Sequence, residues 1–129
     1  MLLSTTFCFY YSKLMGTDTQ MLFSLAPKSV TTPIAISIAK NNHGIPELAV
    51  VFVIICGIFG GAVGPIVLRY LNIKSKVAKG LAMGTASHAL GTVRAIEMGA
   101  TEGAISGLAI GIMGIMTAIV MPFIEKILN

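Results

Sequence analysis

Ser24-Leu25-Ala26-Pro27-Lys28-Ser29-Val30-Thr31-Thr32-Pro33-Ile34-Ala35 is the stretch on which the fold turns. Two prolines, several hydroxyls and a lysine interrupt an otherwise membrane-like sequence here. Pro27 and Pro33 each remove a backbone donor and resist a continuous helix. Inside a bilayer, broken backbone is tolerated only where protein or a watery cavity covers it. The segment is therefore the first candidate for a binding site in a transporter-like protein.

The rest of the chain supports that setting. Of 129 residues, 55% are hydrophobic and 11% charged, and the mean hydropathy is +0.88. A soluble domain carries roughly 25% charged residues, so the composition is that of an all-α integral membrane protein. The net charge of +4 comes from basic residues scattered at expected helix ends. That pattern controls topology and is no footprint of nucleic-acid binding. Cys8 and Cys56 lie far apart in apolar stretches. They read as free thiols packed as small hydrophobes, with no metal site, disulfide or cofactor implied.

Two apolar runs, residues 48–68 and 104–124, are uncharged and 21 residues long. At 1.5 Å per residue each reaches about 31 Å, enough for a ~30 Å hydrocarbon core. Each follows a more polar run, residues 22–39 and residues 77–98. About four hydrophobic helical segments are expected, two of them broken or re-entrant. The pattern also suggests an internal repeat. At an offset of 57, Pro65 aligns with Pro122, Gly57 with Gly114, and the Ser29–Pro33 region with the Ser87–Leu90 region. Transporter folds are built from such repeats. The repeat is parallel if all four segments cross, and of another kind if a polar segment re-enters.

Arg69, Lys74, Lys76 and Lys79 surround the link between the second and third segments, which places that link in the cytoplasm. Residues 41–47 and 99–103 are then expected outside. Lys40, at the outer end, counts mildly against this arrangement. Residues 2–11 are apolar but too short to span, and lack the basic start and cleavage site of a signal peptide. They read as the tail of a preceding helix. Residues 1–21 are accordingly a tail and linker, and residues 22–129 the transmembrane domain.

Candidate site residues follow from depth and charge. His88 lies 11 residues into the third segment, roughly 16 Å deep. Thr92 shares its face at i+4, with Gly84 and Gly91 on the same side. Intramembrane ionisable groups are functional candidates by default, against the plain alternative of a histidine that only bonds a neighbouring helix. Arg94 and Lys28 are cations able to meet a carboxylate. Their plain alternatives are an Arg94–Glu97 ion pair and snorkelling to the interface. Ser29, Thr31 and Thr32 either coordinate substrate or satisfy backbone near Pro33, and Thr31 and Thr32 are expected to face a cavity shared with the third segment. Gly103, Gly107 and Gly111 on the last helix, and Gly57, Gly60, Gly61 and Gly64 on the second, read as close helix packing. No His-Glu-x-x-His motif is present, and Ser87 and His88, adjacent on a helix, diverge. An enzyme is not expected.

The string from Ser24 to Ala35, Gly80-Leu81-Ala82-Met83-Gly84-Thr85-Ala86-Ser87-His88-Ala89-Leu90-Gly91-Thr92-Val93-Arg94-Ala95, and Gly103-Ala104-Ile105-Ser106-Gly107-Leu108-Ala109 closely resemble the LrgB/CidB family. The likeness covers about residues 22–124. It implies a multi-pass protein of the bacterial plasma membrane, encoded beside a small LrgA/CidA holin-like partner. Members are described as antiholin-like regulators of murein hydrolase activity and autolysis, and others are implicated in moving small monocarboxylates such as pyruvate or glycolate. The resemblance implies a small carboxylate substrate, held by the lysine, arginine, histidine and hydroxyls named above. Its rival is a non-transporting protein that tunes the holin-like partner through helix contacts. It leaves a homo-oligomer open. Typical members are longer, with further N-terminal helices, so this chain is expected to be the C-terminal half.

Overall fold

The structure, a computed structural model, describes residues 18–128 together with Tyr10, Leu14 and Gly16. The expected helical tail over residues 2–11 falls, Tyr10 apart, outside that set. The elements of the described residues are all helical, without strands: α1 (Thr19–Leu25), a 3-10 turn (Ala26–Ser29), α2 (Thr32–Asn41), α3 (Pro46–Tyr70), α4 (Lys76–Met98) and α5 (Ala100–Leu128). They form two compact units, Met1–Val53 with Gly114–Asn129, and Ile54–Met113. Both α3 and α5 contribute residues to each.

Two helices, Pro46–Tyr70 and Ala100–Val120, are long and apolar enough to cross a membrane. These coincide with the two spans expected from sequence. A soluble core helix of this composition would be covered, yet only 17% and 28% of an apolar 18-residue stretch of each are buried. Phe59, Ile66, Ile115 and Ile119 stand exposed, as lipid-facing side chains do. Pro46 opens α3, Glu47 lies in its first turn and Arg69 in its last, each on the side that the helix dipole favours. The count of four segments and the repeat go beyond these two helices.

In the first unit the break predicted around the prolines is present, just ahead of Pro33. Pro27 lies inside the 3-10 turn and Pro33 in the first turn of α2, where its missing N–H costs nothing. The chain leaves helical geometry at Val30 (φ −124°, ψ 178°) and Thr31 (φ −70°, ψ 153°). It then returns towards α1. Gly44 packs against the backbone of Phe23 and Ser24, and Ser24 Oγ accepts a hydrogen bond from Ile45 N–H at 2.7 Å while donating to Gln20 C=O at 2.7 Å. Phe23, Ala26, Val30, Ala35, Ile38 and Ala39 pack with Ala49 and Val53 of α3. Ser24 is fully buried, so Ser24→Ala orphans the Ile45 amide. We expect a loss of about 1–3 kcal/mol, read as a lower midpoint in detergent thermal unfolding.

In the second unit α4 does not run straight. His88 has φ 48° and ψ −128°, the geometry of the first central residue of a type II′ turn, where glycine is usual. Residues 76–87 and 89–98 are therefore two helical arms. Gly91 lies so close to Met83 that a side chain there would meet the Met83 carbonyl. Eight residues of straight helix span about 12 Å, so the arms run side by side. Met83 and Ala95, one from each arm, pack with Leu68. The fold-back brings the start and end of α4 to one end of the unit, where Lys79 and Met98 line the same cavity. It also corrects the expected sidedness of residues 99–103. Glu102 lies against Gly80, at the same end of the unit as the link between α3 and α4.

Candidate functional site

The seven candidate residues divide between the units. Lys28 and Ser29 end the 3-10 turn, half-buried; Thr31 is the N-cap of α2 and Thr32 its first residue, also half-buried. The Thr31 side chain makes no capping hydrogen bond. The first turn of α2 thus has N–H groups without helical acceptors at the break, the positive end of its dipole.

His88, Thr92 and Arg94 belong to the second unit, and the fold-back treats them differently. His88 is the turn itself and is buried, as is Ser87 beside it. Ser87 Oγ faces Gly60 of α3, where any side chain would collide with it, and Leu90 covers Gly57 and Gly61. The glycines near the middle of α3 are small because the tip of α4 sits on them. That fits the packing role expected of them, as does Gly64 under Met83. Thr92 Oγ1 donates to the His88 carbonyl at 3.0 Å and lies 2.7 Å from Ser106 Oγ. A hydroxyl has one proton, so Ser106 donates to Thr92. This pair ties the outgoing arm to α5. Gly84 of the ingoing arm also lies against Ser106.

Arg94 is placed otherwise. Its Nη1 donates to Glu97 Oε2 at 2.8 Å, with the two side chains 53% and 56% exposed. That is the ion pair named as its plain alternative. On α5, Gly103 packs against Ile96, but Gly107 and Gly111 meet nothing among the described residues. The expectation of close packing at those two is corrected: the helix turns them away from its neighbours in the unit.

Two features were not singled out from sequence. Ser106 is fully buried and Glu102 nearly so; Ser106 stood inside a quoted motif, and that was its only signal. Ser87 Oγ is buried without a hydrogen-bond partner among the described residues. Such an orphan costs roughly 1–3 kcal/mol. The His88 backbone adds about 1–3 kcal/mol of strain.

A family model described as LrgB-like family matches residues 1–127. The chain belongs to the LrgB-like family. This LrgB-family chain is 39% identical over 114 residues to the antiholin-like protein LrgB of Bacillus cereus (strain B4264), covering 88% of the chain and 50% of that protein. It is 39% identical over 114 residues to the uncharacterised protein YxaC of Bacillus subtilis (strain 168), with the same coverage. An uncharacterised protein of Haemophilus influenzae is 37% identical over 115 residues, 89% of the chain and 50% of that protein. The chain thus spans about half the length of these relatives. No solved structure matches it. Family membership and the two exposed apolar helices together make it a membrane protein.

Proposed function

We infer that this LrgB-family chain is half of a multi-pass carrier of small monocarboxylates, of the pyruvate or glycolate kind, in the bacterial plasma membrane. The observation that carries the reading is the fold-back of α4 at His88. A helix that turns within a membrane protein, burying a histidine and an orphan serine hydroxyl against glycines of a spanning helix, is the kind of discontinuity at which transporters bind substrate. The outgoing arm starts at the turn, so its amide end faces the tip and favours an anion.

The repeat supports the same reading. Thr19 and Lys76, which open α1 and α4, are 57 residues apart; so are Asn41 and Met98, which close α2 and α4, and so are the two breaks at Thr31 and His88. Both polar segments are then re-entrant hairpins of one design, each with the amide end of its second arm at the break. Lys28, Ser29, Thr31 and Thr32 surround one break; His88 and Thr92 surround the other. Lys28 is the cation beside the first break, and in the second unit Arg94 meets a carboxylate only if it leaves Glu97. An LrgA/CidA-type protein is the partner, and the antiholin-like control of lysis named for relatives follows from the solute flux.

Uptake of labelled pyruvate and glycolate tests this, in vesicles holding the chain with an LrgA/CidA-type partner and in a full-length relative carrying the matching substitutions. His88→Gln keeps hydrogen bonding and removes titration, so uptake falls at least tenfold and its pH dependence flattens. Wild-type uptake with an unchanged pH profile would sink the role of the turn.

A further inference from the structure

A cavity of about 380 Å³ lies at the open end of the α4 hairpin. Arg69, Lys74 and Lys79 line it together with Pro65, Leu68 and Met98, and no acidic residue is among its lining. We propose that this cavity binds the phosphate of an anionic membrane lipid. It sits beside the last turn of α3, the level at which a spanning helix meets the headgroups. Three cationic residues and several apolar ones line one space, which is the chemistry of a phosphodiester attached to acyl chains. Topology control alone does not need this arrangement, since cations serve that purpose while pointing separately into water. One cation, Arg69, also complements the carbonyl end of α3. Lys74 and Lys79 lie beyond that helix, Lys79 in the first turn of the ingoing arm of α4. A lipid held here therefore touches α3 and both arms of the hairpin at its base, because Met98 closes the outgoing arm. The inference stands on the cavity and its charges, apart from any substrate at the His88 turn.

The test uses the full chain in nanodiscs of phosphatidylcholine with and without phosphatidylglycerol, read by native mass spectrometry after release. Phosphatidylglycerol should be retained in preference to phosphatidylcholine. At about 1 kcal/mol per basic residue near a lipid surface, Lys74→Gln with Lys79→Gln should lower that retention about tenfold or more. Arg69→Gln should lower it by a smaller factor, and Lys40→Gln, an exposed cation on α2, should leave it unchanged. A separate arm adds inorganic phosphate to the chain in phosphatidylcholine and follows thermal unfolding. Retention equal in the double variant and the wild type overturns the site. Stabilisation by inorganic phosphate as large as that by phosphatidylglycerol overturns the lipid and leaves a free-anion site.

Discussion

Cysteines placed at Ser75 and Ala100 should react with a membrane-impermeant maleimide from the same face of the membrane, and a cysteine at Glu47 from the opposite face. The background is the chain with Cys8 and Cys56 replaced by serine. Ser75 precedes the ingoing arm of α4 and Ala100 follows the outgoing arm, so a helix that folds back at His88 returns the chain to the side it left. Glu47 opens α3, a helix long enough to cross. The basic cluster of Arg69, Lys74, Lys76 and Lys79 places the Ser75 side in the cytoplasm. In intact cells both Ser75→Cys and Ala100→Cys should then stay unlabelled until the membrane is permeabilised. The contrast is all-or-none. Labelling of Ala100→Cys from outside, with Ser75→Cys protected, would mean that α4 crosses fully and that the fold-back is wrong.

Gly91→Val should unfold the hairpin. A side chain at Gly91 meets the Met83 carbonyl and the Ser87 side chain of the other arm. Backbone cannot yield as the end of a flexible side chain does, so the arms must separate and the Met83–Ala95–Leu68 packing opens with them. Overpacking usually costs 1–3 kcal/mol, and a clash against backbone belongs at or above the upper end, about 3 kcal/mol or more. Gly111→Val is the matched control, since nothing described lies within reach of that position. Equilibrium unfolding by SDS titration in mixed micelles reads both. A Gly91→Val variant as stable as the Gly111→Val control would refute the close approach of the arms.

Much of the second unit was legible in the sequence as residue types, yet their arrangement was not. The glycines of α3 announced a close approach, and Gly57, Gly60, Gly61 and Gly64 deliver it. What approaches them is the tip of α4, and no local pattern said so. Gly103, Gly107 and Gly111 share one spacing, but only Gly103 packs. Spacing shows which residues share a helix face; whether that face has a neighbour depends on the rest of the fold. Arg94 and Glu97 were paired correctly as an alternative because i,i+3 contacts are local. Ser106 was passed over because its value lies in Thr92 and Gly84, partners supplied by a different helix.

The sequence by itself determined the all-helical membrane class, the two spanning helices, the family, and a break in the proline-rich segment, because each rests on composition, length or chemistry within a few residues. Tertiary structure alone decided that α4 turns at His88, and that residues 99–103 share an end with the α3–α4 link. Ala86-Ser87-His88-Ala89 contains neither glycine nor proline and is compatible with helix. Its left-handed residue is strained and persists only because the arms, α3 and α5 pack around it. A local sequence records propensity, whereas this turn runs against propensity and is held by contacts far apart in the chain.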